Sequence, residues 1–194
     1  MSHIKLQRNL PGIVALFATN PATSAPMNAL AEQLLRNQDN TLSREDRETI
    51  ASYVSLRNGC HFCFNSHAAV VRSYYKKMGG KKIEDGVQVI SDLDGRVEES
   101  AVLSEKMKAL LNIAGLVQVS GKDVSDDAVE RARDLGATDK EIHDTVLIAA
   151  AFCMFNRYVD GLDAPSDLDD DTYNALGDML TENGYVNSKP VPSN

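Results

Sequence analysis

Two cysteines, one histidine and one glutamate carry the chemistry this sequence can offer. Cys60 and Cys63 stand in a Cys-His-Phe-Cys run, His67 follows Cys63 by four residues, and Glu48 precedes Cys60 by twelve. Two thiols at that spacing can close a disulfide. A histidine at i+4 shares a helix face with Cys63, and a carboxylate can hold that histidine in one orientation. The chemistry to expect is thiol redox, with peroxide reduction leading. A thiolate attacks one peroxide oxygen and displaces the other, and a second thiol resolves the sulfenic acid to a disulfide. The attacking sulfur must ionise near neutral pH, which the first turn of a helix and a neighbouring histidine both favour. His67 lies one helical turn from Cys63 and about two from Cys60, so the spacing pairs His67 with Cys63 first.

Each of these residues also has a plainer reading. Cys60, Cys63 and His67 are three ligands of a zinc half-site, but His61 is too close in sequence to be an easy fourth, and the chain has no second Cys-x-x-Cys and no His-x-x-x-His. His67 alone is an ordinary helix histidine, and Glu48 alone a solvated helix acid. The constellation is what raises both. His61 reads as exposed or at a pocket rim. Cys153, in an apolar AAAFCMF run, reads as a small buried hydrophobe. No cofactor and no metal are assigned.

The elements that must position these residues are helical. The chain of 194 residues is long enough for one domain with a substantial core, and no apolar run approaches the ~20 residues needed to span a bilayer. The first residues lack the apolar stretch of a secretory signal, so the cytoplasm is the expected compartment. A net charge of −8 argues against generic nucleic-acid binding. Three cysteines do not make a structural disulfide framework. The acidic run Asp167, Asp169, Asp170 and Asp171 reads as a solvated loop or helix N-terminus.

Ser24-Ala25-Pro26 reads as a helix start, with Leu30, Leu34 and Leu35 as an apolar stripe and residues 37–40 as a polar break. Ser43-Arg44-Glu45-Asp46 caps a helix that turns Ile50 and Val54 inward and stops at Asn58-Gly59. A new helix then runs from about Cys60 to Met78 and ends at Gly79-Gly80. Residues 87–90 could be a strand but fit better inside a helix or loop. Ser100 to Val119 reads as one long helix, Ser125 opens another, and Thr138 with Glu141 makes a capping box for an apolar helix that Gly161 and Pro165 end. The expectation is a single all-α domain, residues 1–194, with a redox-active half (11–80), a helical second half (100–165) and a frayed tail (186–194). A shift of 95 residues lays Ser43 on Thr138, Asp46 on Glu141, Glu48 on His143, and Cys60 and Cys63 on Phe155 and Tyr158. The second half is therefore either a degenerate repeat or a chance likeness between amphipathic helices.

At these residues the chain resembles the alkylhydroperoxidase D-like group of the carboxymuconolactone decarboxylase superfamily. The pattern is Glu48, then Asn58-Gly59-Cys60-x-x-Cys63-x-x-x-His67; LSREDRE before it and FNRYVDGL from Phe155 to Leu162 resemble a peroxidase-related subgroup. The resemblance covers residues 11–165. It implies an all-helical alkylhydroperoxidase D-like bundle, thiol-dependent peroxidase activity, Cys63 as attacking and Cys60 as resolving cysteine, His67 and Glu48 as a proton relay, and homo-oligomers, often trimers or hexamers. It implies a hydroperoxide substrate and a dithiol electron donor, lipoyl-bearing or thioredoxin-like. One departure stands out: the best-known members carry a histidine directly before the second cysteine, where this chain has Phe62. Two other readings remain. A lactone decarboxylase needs no redox dithiol, and a non-enzymatic redox sensor or binding module would oxidise once and stop.

Overall fold

The computed structural model describes residues 2–6 and 10–186, and the tail expected to fray lies outside these except for Val186. The described residues form nine α-helices and one 3-10 turn, with no strand: α1 (Gly12–Thr19), α2 (Pro21–Arg36), α3 (Arg44–Arg57), α4 (His61–Met78), α5 (Lys82–Asp92), α6 (Glu105–Val119), α7 (Asp126–Asp134), α8 (Asp139–Gly161) and α9 (Asp170–Asn183).

Local signals set most of these bounds. Ser43 accepts the Asp46 N–H and Asp46 returns a bond to the Ser43 N–H, so α3 begins in a capping box. Gly59 at φ +73° breaks the chain after α3, and Cys60 caps the next helix. Thr138 and Glu141 repeat the capping box at α8. Residues 87–90 lie in α5, as the helical alternative had it.

Two starts differ from the sequence reading. α2 begins at Pro21, with Asn20 before it, and Pro26 lies inside the helix. Asn20-Pro21 ends α1 and opens α2 at once, because proline at the first helical position has no N–H to lose. The long helix read from Ser100 begins only at Glu105, since the Ser104 side chain takes the Met107 N–H while Ser100 is spent on Val102 and Leu103. α3 and α8 both open in a capping box, but α8 runs unbroken past Phe155 and Tyr158, where α3 ends and α4 begins after Gly59.

α3 is the central helix. It packs against α2, α4, α5, α6 and α8, and residues 47–52 are buried in succession. One core gathers Leu35, Ile50, Val54, Leu110, Leu111, Ile148 and Phe152. A second surrounds the cysteines, with Leu16, Phe62, Val70, Val159, Tyr173, Leu176 and Leu180. α9 closes this second core by lying on α4, and Gly177 makes the approach possible: a Cβ there would stand 2.5 Å from the Ala69 carbonyl carbon. Because that neighbour is backbone and cannot step aside, Gly177→Ala is expected to lower stability by about 1–3 kcal/mol. That loss remains although alanine favours a helix interior by about 1 kcal/mol over glycine. A reduced urea midpoint at unchanged m-value is the check.

Candidate functional site

α3 and α4 fold back on each other across Asn58-Gly59, and this brings Glu48 to His67. His67 Nδ1–H donates to Glu48 Oε2 at 2.7 Å. An ionised carboxylate only accepts, so the proton sits on Nδ1 and Nε2 is the ring nitrogen left for chemistry. Glu48 is 1% exposed. A carboxylate so deeply buried must have its oxygens satisfied, and the second one is: the Tyr185 hydroxyl donates to Oε1 at 2.7 Å and lies 3.3 Å from His67 Nδ1. The His67 ring is fixed further by an edge contact with Phe152, centroids 4.6 Å apart, and by the near-parallel Tyr185 ring at 5.9 Å.

Both cysteines are reduced and buried, Cys60 at 0% and Cys63 at 4% exposure. Cys60 is the N-cap residue of α4 and Cys63 lies in its first turn. The two sulfurs are unequal. The adjacent Cys63 sulfur, then burial, push the Cys60 thiol far above its ordinary range, and the Asp160 carboxylate adds to this.

Cys63 and His67 line a small cavity of about 70 Å³, walled by Phe17, Phe62, Phe152 and Phe155. A larger one, about 360 Å³, shares Ile13, Phe17, Phe62, Ser66, His67 and Tyr185 with it and extends between Leu168, Leu176, Met179 and Val186. Phe62 lines both spaces. Its ring lies against Gly12, where φ is +47° and a Cβ would fall 2.3 Å from the ring, and it leans on Tyr173 at 6.2 Å. At the position where the resembling proteins carry a histidine, this chain has an apolar wall. His61 is exposed, and Cys153 is half-buried beside Asn58 rather than fully enclosed. Among the described residues no group of three or more His, Cys, Asp or Glu is arranged to hold a metal ion. None of their helices is long and apolar enough to cross a membrane.

The sequence reading missed Tyr185: of its two readings of the acidic run, the helix N-terminus holds, since α9 begins there, but the helix was not followed on to Tyr185. The signals were present: Asp169 accepts the Thr172 N–H as N-cap, and Gly184 ends the helix at φ +75°.

Three solved structures share this architecture. An uncharacterized peroxidase-related protein from Ralstonia eutropha JMP134, described as an alkylhydroperoxidase AhpD core, superposes with a TM-score of 0.69 at 24% identity, over 87% of this chain and 81% of that one. An uncharacterized peroxidase-related protein from Silicibacter sp. TM1040 gives 0.68 at 22%, over 81% and 76%. A protein of unknown function from Agrobacterium tumefaciens, proposed as an antioxidant defence protein AhpD, gives 0.63 at 22%, over 81% and 99%. No family model matches the sequence, and no curated protein matches it significantly. The chain has the alkylhydroperoxidase D-like, all-helical fold.

Proposed function

We propose that the protein is a thiol-dependent peroxidase that reduces hydroperoxides through a Cys60–Cys63 dithiol/disulfide cycle. The observation that carries this reading is the line from Glu48 through His67 into the cavity that holds Cys63. His67 takes the Cys63 proton on Nε2. The Cys63 thiolate attacks the terminal peroxide oxygen, the O–O bond breaks, and the departing alkoxide takes the proton back from His67. Cys63 is then a sulfenic acid. The Cys60 sulfur attacks it, forming the disulfide and expelling the hydroxyl with the Cys60 proton as water. An external dithiol returns both sulfurs to thiols. The apolar larger cavity, of a size typical for small-molecule sites, favours an organic hydroperoxide over hydrogen peroxide.

The burial of both sulfurs constrains the donor. Attack on a disulfide requires a thiolate to reach one sulfur in line, and a folded thioredoxin-like protein presents its thiol on a broad surface. A slender dithiol such as a dihydrolipoyl group can enter. Peroxide consumption is therefore expected with dihydrolipoamide, and at a rate at least about tenfold lower with thioredoxin. Assays with hydrogen peroxide and cumene hydroperoxide under each donor check this. Repeated turnover supports the peroxidase; a single oxidation per chain supports the redox-sensor reading instead.

A further inference from the structure

Tyr185 comes from outside the α3–α4 pair that supplies the other groups, yet it is held on the site from two sides. Its backbone N–H donates to Glu32 Oε2 at 2.7 Å. Arg36, paired with Glu32, donates to the carbonyls of Leu180 and Thr181 at 3.0 Å each and so grips the end of α9. Gly184 fits against Glu32 and Arg36 where a Cβ would fall 2.4 Å from the Glu32 carboxylate. The result is a buried phenol aimed at Glu48. Burial and the Glu48 charge hold that phenol well above its ordinary range, so it stays a donor.

We propose that Tyr185 is a positioning residue of this site: its hydroxyl, donating to Glu48 Oε1, sets the proton affinity of the Glu48–His67 pair and with it the pH at which Cys63 is activated. This rests on the reading of His67 as the base for Cys63. A donor on one carboxylate oxygen spreads the anion's charge and weakens its hold on a proton shared with His67 through the other oxygen. Without the donor the pair binds its proton more tightly, so His67 remains protonated, and unable to accept, to a higher pH. The other groups around Glu48 leave this sign unchanged. Arg44 and Arg47 on its own helix, Arg36 and Glu32 on α2 and Tyr74 on α4 are common to both forms of the protein; α8 contributes the Phe152 ring and, beyond Arg47, Asp144.

The test is Tyr185→Phe, which keeps the ring beside His67 and removes the donor. Two curves are recorded: the imidazole titration of His67 by proton NMR, assigned with His67→Gln, and the pH profile of cumene hydroperoxide consumption. Both are expected to move up by about one pH unit. If neither curve is displaced, whatever the plateau rate, the proposal is overturned and Tyr185 is a packing residue. If the NMR curve moves while wild type consumes no peroxide, the proposal stands and the peroxidase reading fails. Should the phenylalanine variant not fold, 3-fluorotyrosine placed at 185 keeps the contacts and strengthens the donor. Both curves then move to lower pH, and no movement overturns the proposal.

Discussion

Replacing Cys63 by serine is expected to reduce peroxide consumption at least about a thousandfold, to the uncatalysed rate, while replacing Cys60 leaves a single stoichiometric oxidation. The asymmetry follows from the two sulfurs' surroundings. Cys63 lines the cavity it shares with His67, whereas Cys60 is fully enclosed, and the Cys63 sulfur, burial and Asp160 push its thiol up. Removing Cys63 relieves the first of those three influences, but it opens no path for a peroxide to Cys60, so the remaining cysteine does not take over. A serine at 63 keeps a hydroxyl of similar size, yet its oxygen does not ionise near neutral pH and does not cleave an O–O bond. In Cys60→Ser, Cys63 still attacks, and its sulfenic acid finds no resolving thiol. Peroxide treatment then adds one oxygen atom per chain, seen by intact mass and blocked by dimedone. If Cys63→Ser carried that oxygen instead, the order of the cysteines would be reversed. If neither variant carried it, the sulfur cycle would be abandoned.

The α3–α4 half was legible because its information is local. A capping box, an Asn-Gly break and a Cys-x-x-Cys at a helix start are each written within a few residues, and an i+4 histidine lands on the face of Cys63 by helical geometry alone. Glu48 could be suspected for the same reason, since a two-helix hairpin with a short connection must pair residues at similar distances from the turn. Its burial was not legible. α3 is enclosed on nearly every side, so Arg47, Glu48, Thr49, Ser52 and Ser55 are as hidden as Ile50. Polar residues on a central helix read as a solvent face until their partners are known: Leu34 O for Arg47, His67 and Tyr185 for Glu48, Asn156 for Ser55. Two of those partners lie far along the chain, Asn156 by 101 residues and Tyr185 by 137. Gly177 carries the same lesson: nothing local marks it as the point where two helix backbones meet. The false start at Ser100 has a local cause, a serine whose side chain serves a turn before the real N-cap four residues later.

His67→Ala is expected to damage activity and stability together, and the double substitution with Glu48→Gln separates the two. Loss of a general base lowers rates by about 10²–10⁴, and the alanine variant's peroxide rate is expected within that range at pH 7. The same change strips Glu48 Oε2 of its hydrogen bond while leaving the carboxylate buried. Leaving a buried carboxylate oxygen without its donor costs about 3 kcal/mol or more, because the charge is stranded away from water. Tyr185 still serves Oε1 and water can enter the vacated space, which places the expected loss at the lower end, about 3 kcal/mol. For a chain of this size that lowers the melting temperature by roughly 6–12 °C. Adding Glu48→Gln removes the stranded charge, and the neutral amide still accepts from Tyr185. The double variant is therefore expected to recover at least about half of the lost stability while recovering none of the rate. Calorimetry and the peroxide assay on the two single variants and the double close the cycle. Additive stability losses would mean that the 2.7 Å contact is energetically idle, and that His67 is held by Phe152 and Tyr185 rather than by its carboxylate.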